Sequence, residues 1–148
     1  MKINFDRRKI LQELENDDWG KPDFDSYLVR TCHRLRRVPL EDFETGDLKV
    51  MIGQQISLYF LVPIALEKLE NDPLVEGNHY PGDLLKVVLD IPAKFWNVHT
   101  EMRNSLRRIV VKTKELLASL EEDEARLIRE TLAKPLDALQ ELQMTAQS

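Results

Sequence analysis

The chain has 148 residues, of which 43% are hydrophobic and 32% charged, a balance that supports a folded core and argues against long disordered segments. Its 21 basic and 26 acidic residues give a net charge of −5, so the chain as a whole is not drawn to nucleic acid and is better suited to a basic partner. Its one cysteine, Cys32, excludes an intrachain disulfide, and no Cys/His spacing typical of a zinc site occurs.

Two helices are predicted before Pro39. The first follows Asp6, and residues 16–23 then form a turn punctuated by glycine and proline. The second is expected after a cap at Asp23 or Asp25. Its inner apolar stripe has helical spacing and consists of Phe24, Leu28, Cys32 and Leu35. Its opposite stripe is basic and consists of Arg30, Arg34 and Arg37, with His33 and Arg36 beside it.

The third and fourth helices are predicted on either side of a break at residues 53–55. Thr45 is expected to cap the third helix, with Asp47 in its first turn. Its inner face consists of Leu48, Met51 and Ile52. The fourth helix has the clearest apolar stripe in the chain, so we expect it to be central and most buried, with a kink at Pro63. This stripe consists of Leu58, Leu61, Val62, Ala65, Leu66 and Leu69.

The second half of the chain predicts three more helices. Pro81 is expected at the first position of a fifth helix, and a short turn after Pro92 holds two aromatic residues. A long helix starts near Thr100, and the spacing of Ser119 and Glu122 resembles a capping box that opens the last helix. The last helix has an inner stripe and an interruption at Pro135, and its stripe is Ala125, Ile128, Leu132, Leu136 and Leu139. The sequence therefore predicts an all-α fold, a single-domain compact helical bundle of about six to seven helices over residues 1–148, with long C-terminal helices at about 100–142.

No pattern of catalytic or metal-binding residues stands out. The sequence has no GxSxG, HExxH or GxxxxGK[ST] segment, and its three histidines lack ligand spacing. Cys32 and His33 are neighbours and point about 100° apart on a helix, which disfavours a catalytic pair. We therefore expect neither an enzyme nor a cofactor. A helical enzyme or ligand carrier with a pocket near Gln54 and Tyr59 is a weaker alternative. The amino-terminal residues lack an apolar signal region and the uncharged run 50–66 is too short to span a membrane, which predicts a cytoplasmic protein without membrane contact.

Charge is segregated along the chain. The basic stripe of Arg30, Arg34 and Arg37 would suit a small helical DNA-binding transcriptional regulator, but acidic residues flank it on both sides, which favours internal ion pairing. Two acidic runs could steer a basic partner. They consist of Glu41, Asp42, Glu44 and Asp47, without a base between them, and of Glu121, Glu122, Asp123 and Glu124.

The stretch from Cys32 to Trp96 resembles immunity proteins of bacterial contact-dependent growth inhibition (CDI) systems, and the similarity extends over about residues 17–98. The residues that carry it are Pro39-Leu40, Asp47-Leu48, Ile52-Gly53-Gln54, Leu61, Pro63, Ala65-Leu66-Glu67, Pro73-Leu74, Glu76-Gly77, the segment 80–85, Pro92 and Phe95-Trp96. They are mostly apolar or turn-forming, so the resemblance describes a fold and does not locate a contact surface.

The resemblance implies a cytosolic protein that is not an enzyme. Such proteins bind the C-terminal toxin domain of a matching effector and neutralise it. We expect the toxin to be a nuclease, whose basic substrate groove would meet the two acidic runs, and we expect no direct contact with nucleic acid.

Overall fold

The computed structural model describes residues 2–146, with side chains for residues 2–133 and for Leu136. This part of the chain is all-α, with eight α-helices and one 3-10 helix, and its only β pairing is an isolated bridge between Glu76 and Pro81. The α-helices are α1 Leu11–Leu14, α2 Tyr27–Leu35, α3 Thr45–Gly53, α4 Leu58–Asn71, α5 Asp83–Leu89, α6 Ala93–Val98, α7 Thr100–Ser119 and α8 Glu122–Ala146; the 3-10 helix is Leu40–Asp42. The predicted fold class is confirmed. The structure has eight α-helices where the sequence predicts six to seven, because the turn predicted after Pro92 is helix α6.

Helix α4 is the centre of the core, as its apolar stripe predicted. It packs against α3, α5 and α7, and half of its residues are buried, among them Ile64 on the side opposite the stripe. Pro63 lies inside the helix, where it is itself buried. The fully buried stripe residues are Leu61, Val62, Ala65, Leu66 and Leu69. Leu48, Met51 and Ile52 of α3 are buried as predicted.

Three helix starts differ from the sequence prediction. Ser26, and neither Asp23 nor Asp25, caps α2, because its hydroxyl accepts a hydrogen bond from the backbone N–H of Val29 at 3.1 Å. Glu44 is the cap residue of α3 and Thr45 is its first helical residue. Pro81 lies before α5, whose cap is Gly82 with a φ of 88°, a conformation that favours glycine.

The inner stripe predicted for α2 is half right. Cys32 and Leu35 are buried, but Phe24 is 75% and Leu28 41% exposed. Because the cap is Ser26, Phe24 precedes the helix and does not lie on its inner face. Thr31 takes the inner position instead.

The long C-terminal helices pack back onto the rest of the fold, since α8 contacts both α5 and α7. Ser119 is the last residue of α7 and its hydroxyl donates to the carbonyl of Leu116 at 2.7 Å, so the predicted cap of α8 is wrong. The predicted interruption at Pro135 is also wrong, because α8 runs unbroken to Ala146. A proline removes only one backbone hydrogen bond, so the helix can continue on both sides of it. Leu139 lies outside the residues whose side chains are described.

Buried Asp83 organises the loop between α4 and α5. Its carboxylate accepts hydrogen bonds from the backbone N–H groups of Gly77 at 2.6 Å, His79 at 3.0 Å and Tyr80 at 3.4 Å, and Lys49 of α3 lies 3.6 Å away. The side chain is fully buried. One carboxylate therefore ties the loop to the start of α5 and to α3.

Candidate functional site

The first acidic run lies on the surface ahead of α3. Glu41 and Asp42 are exposed in the 3-10 helix, and Glu44 is exposed at the cap position of α3. Buried Leu40 and Phe43 anchor this turn to the core, so the three exposed carboxylates are held outward on a fixed backbone.

Asp47 has a different position from the other three acids. It is partly buried, and its Oδ2 accepts a hydrogen bond from the backbone N–H of Glu44 at 2.9 Å. This bond stabilises the start of α3, as an acid in the first turn is expected to do. Asp47 therefore serves the helix, whereas Glu41 and Asp42 lie before the cap.

The sequence shows no base within the first acidic run, but folding brings a base from the N-terminal segment close to it. The backbone N–H of Leu40 donates to the carbonyl of Lys9 at 3.1 Å, and the backbone N–H of Glu41 donates to the carbonyl of Arg7 at 2.8 Å. This pairing brings Arg8 close to Glu41. The pKa of Arg8 is raised, chiefly by its hydrogen bond and ion pair with Asp6 and to a smaller extent by the charge of Glu41.

The second acidic run begins α8. Its four carboxylates are all exposed, and the carbonyl of Glu121 accepts the backbone N–H of Ala125 at 2.9 Å. Within the helix Glu122 lies 3.5 Å from Arg129 and Asp123 lies 3.8 Å from Arg126. Two of the four carboxylates are therefore balanced locally by exposed ion pairs of small energetic value.

The basic stripe predicted for the second helix, of which Arg37 lies beyond the end of α2, is paired largely with the chain's own carboxylates. Arg30 forms an ion pair with Asp25, and Arg37 lies 3.5 Å from Asp18. The internal pairing favoured from the sequence is thus present for two of the three arginines. Nothing in the structure supports the DNA-binding alternative.

Arg36, placed beside the basic stripe by the sequence, is a buried residue. Its side chain is 3% exposed and forms an ion pair with Glu15. It also donates to the carbonyl of Asp17 at 2.7 Å and to the hydroxyl of Ser57 at 3.3 Å, and its guanidinium stacks 4.3 Å from the ring of Trp19. These contacts join α1, α2 and the start of α4, so Arg36 stabilises the fold and offers no surface for a partner.

A cleft of about 380 Å³ lies beside Tyr59, between the N-terminal residues, the start of α4 and the junction of α6 with α7. Its walls include Phe5, His99 and Met102, but not Gln54.

A second, smaller cleft of about 90 Å³ is lined by Gly53 and Gln55, which flank Gln54 in the chain. The sequence suggested one pocket near Gln54 and Tyr59, and the structure has a separate cleft near each. In the residues described, no three His, Cys, Asp or Glu side chains are placed to hold a metal ion.

Cys32 and His33 do not face each other as a reactive pair. Burial raises the pKa of the Cys32 thiol, which keeps it protonated. The ring of His33 packs against Trp19, with centroids 5.1 Å apart, and its Nδ1 lies 3.3 Å from the carbonyl of Gly20. None of the helices within residues 2–146 is long and apolar enough to cross a membrane.

A comparison with protein families finds that the family model of CDI immunity proteins matches residues 13–106. The chain belongs to this family. The match covers more than half of the chain and extends beyond the 17–98 expected from the sequence, into the first turns of α7. Comparisons with curated proteins and with solved structures give no match.

The resemblance seen in the sequence describes the interior of this CDI immunity protein. The residues that carry it include buried Ile52, Leu61 and Trp96 and the loop held by Asp83. The first acidic run lies inside the matched region, whereas Glu121–Glu124 lies outside it.

Proposed function

We propose that this CDI immunity protein binds the C-terminal toxin domain of its cognate effector in the cytoplasm and neutralises it, and that the toxin is a nuclease. The family match over residues 13–106 carries the proposal. In this proposal residues 1–148 form one domain. The packing of α8 on α5 and α7 supports a single domain.

The proposed mechanism is occlusion and involves no catalysis. A nuclease binds its polyanionic substrate through a basic groove, and an acidic protein surface can occupy the same groove. The net charge of −5 and the exposed acids support this role. Opposite charge would also accelerate the encounter, so the same residues would raise the association rate and block the site.

Within the first acidic run, Glu41, Asp42 and Glu44 are the residues we assign to the toxin interface, with Asp47 contributing mainly through the helix start. Their exposure on a turn anchored by Leu40 and Phe43 supports this assignment, because little conformational entropy is lost on binding. In the second run we assign Glu121, Glu122, Asp123 and Glu124 to the interface. On binding, Glu122 would give up its ion pair with Arg129, and Asp123 its ion pair with Arg126, for basic groups of the toxin.

Co-purification with the toxin domain encoded beside this chain tests the proposal. Coexpression of a tagged toxin domain should retain the untagged immunity protein through size-exclusion chromatography at one-to-one stoichiometry. A toxin domain from an unrelated effector is the control, since an immunity protein that neutralises only its matching effector should not be retained by it. Elution of the two cognate chains as separate peaks would contradict the proposal.

A further inference from the structure

The cleft beside Tyr59 is walled by aromatic rings that contact one another. The ring of Phe60 lies against those of Phe5 and Tyr59, with centroids 5.1 Å from each. The ring of His99 lies 5.9 Å from Tyr59 and 4.4 Å from Phe95. These contacts form an unbroken series of rings from the N-terminal segment across α4 to the junction of α6 with α7. Phe5, Tyr59 and His99 line the cleft itself, so its wall is largely aromatic.

The elements around the cleft are fixed to one another. The N-terminal segment is held on α4 by the ring contact of Phe5 and by Arg7, whose Nη1 donates to Oε1 of Glu67 at 3.1 Å. Pro63 of α4 and Met102 of α7 add apolar lining from two helices that pack on each other. A cleft that is already formed loses little conformational entropy when a ligand enters it.

The volume of the cleft suits a small molecule that bears a ring. Its 380 Å³ lies within the range of about 300–1,000 Å³ found for ligand sites. An apolar cavity of about 150 Å³ accepts one benzene ring, so this cleft has room for a ring and for a polar head group. Aromatic walls favour a flat aromatic body, which they contact by offset stacking or edge to face.

Two opposite charges line the same cleft. Lys2 and Glu101 both contribute to its lining, and both are exposed. Neither makes an ion pair with another residue in the described part of the chain. An anion attracted by Lys2 would be repelled by Glu101, and a cation would meet the reverse. A head group with one positive and one negative charge complements both residues.

We infer that this cleft binds a free aromatic α-amino acid, with its ring among Phe5, Tyr59 and His99, its carboxylate towards Lys2 and its ammonium group towards Glu101. Burial of the ring supplies most of the affinity, because exposed ion pairs contribute little each. For a ligand of this size the dissociation constant should be on the order of 1 mM. An aromatic side chain within a partner protein carries no such pair of charges, so the free amino acid fits the cleft better.

The test is an NMR titration of the ¹⁵N-labelled full chain with L-phenylalanine. The backbone amide signals of Tyr59, His99 and Thr100 should shift and saturate. L-alanine, which lacks the ring, should cause no shift. Phenethylamine lacks the carboxylate and 3-phenylpropionate lacks the ammonium group, so each should bind at least about threefold more weakly than L-phenylalanine.

Two substitutions test the wall and the charges separately. Tyr59→Ser should raise the dissociation constant of L-phenylalanine by about tenfold, because it removes an aromatic wall. Tyr27→Ser is the matched control, since Tyr27 is also exposed but lies on α2, and it should leave the constant unchanged. Glu101→Gln should weaken L-phenylalanine by about threefold but strengthen 3-phenylpropionate, because it removes the repulsion of the carboxylate. Melting temperatures confirm that each variant is folded.

Saturable shifts around the cleft with this ligand order support the inference. It is overturned if L-phenylalanine gives no saturable shift at these amides up to about 10 mM, ten times the expected constant. It is also overturned if L-alanine binds equally well, if Tyr59→Ser has no effect, or if Glu101→Gln changes the affinities of both ring compounds in the same direction. A folded Tyr59→Ser variant that loses the cognate toxin domain, in a chain that does not bind L-phenylalanine, would identify the cleft as a toxin contact and would equally overturn it.

Discussion

Gly77 lies directly against the buried carboxylate of Asp83. Its backbone N–H donates to Oδ1 at 2.6 Å, and a Cβ atom at residue 77 would lie 3.0 Å from the same oxygen. Real Cβ contacts are rarely so short, so a side chain at this position would have to displace the carboxylate. Close approach to the carboxylate therefore favours glycine here, which gives a physical reason for one part of the sequence resemblance.

Replacing Gly77 with alanine should therefore destabilise the protein by about 1–3 kcal/mol, the usual cost of forcing extra volume into a packed site. Gly53→Ala is a matched control, because its added Cβ would meet only Val87 at 3.7 Å, an ordinary contact. Urea unfolding measures both variants. Equal stabilities for the two would show that the loop can move away from Asp83.

The charge on Asp83 should make the fold sensitive to acid. Burial opposes ionisation and raises the pKa of Asp83, but hydrogen bonds from Gly77, His79 and Tyr80 and the charge of Lys49 more than compensate, so the pKa lies below its ordinary value of 3.8. A carboxyl group whose pKa is lowered on folding contributes stability above its ordinary pKa. That contribution is lost as the pH falls through the lowered value.

Asp83→Asn should accordingly lower the free energy of unfolding at neutral pH by on the order of 2–4 kcal/mol. The difference between the original protein and the variant should shrink as the pH falls below about 3.8. Urea unfolding at a series of pH values measures this difference, and carboxylates common to both proteins cancel. If the difference in the free energy of unfolding stays constant down to the lowest pH, the charge of Asp83 does not contribute to stability and only the shape of its side chain does.

Leu61 tests the central position of α4. It is fully buried, so Leu61→Ala should reduce the free energy of unfolding by about 2–5 kcal/mol. The control is Leu127→Ala on α8, where the leucine is 69% exposed and the change should stay within about 0.5 kcal/mol. Similar losses at both sites would contradict the packing described for α4.

The clear periodicity of α4 and of the inner face of α3 made their positions predictable, because buried apolar residues in a helix must recur on one side. Helix starts were harder to predict. Several acids and hydroxyls near residues 23–26 could each serve as the cap of α2, and only the backbone geometry selects Ser26. Because Ser26 is the cap, Phe24 precedes the helix and lies on the surface, whereas the sequence pattern had placed it in the core.

Contacts between segments that are distant in the chain could not be predicted from the sequence either. The placement of Arg8 beside Glu41 depends on backbone hydrogen bonds between residues 7–9 and 40–41. Arg36 differs from its exposed neighbours Arg34 and Arg37 only because Glu15, Asp17 and Ser57 converge on it in the folded chain. Helical spacing alone cannot distinguish three arginines that lie so close together.

The proposed contribution of Glu41 and Asp42 can be separated from their structural role. Because both lie before the cap of α3 and are exposed, Glu41→Lys/Asp42→Lys should barely change the melting temperature. With the cognate toxin domain, the same variant should associate about tenfold more slowly at low salt and show a weaker dependence on ionic strength. Stopped-flow measurements at two ionic strengths determine both quantities.

The matched control is Glu115→Lys/Glu130→Lys, which changes the net charge equally at two exposed positions on α7 and α8. If both variants slow association to the same extent, the effect comes from net charge and not from the first acidic run. Unchanged rates for Glu41→Lys/Asp42→Lys would remove this segment from the interface, and the run Glu121–Glu124 would be the next to substitute.

The most direct test of neutralisation is a titration of the toxin domain's nuclease activity with the purified chain. Cleavage of the toxin's nucleic acid substrate should fall in proportion to added immunity protein and cease at a one-to-one ratio. The chain alone should leave the substrate's electrophoretic mobility unchanged, which shows that inhibition comes from binding the toxin and not from covering the substrate. Full cleavage in the presence of excess folded chain would contradict the account.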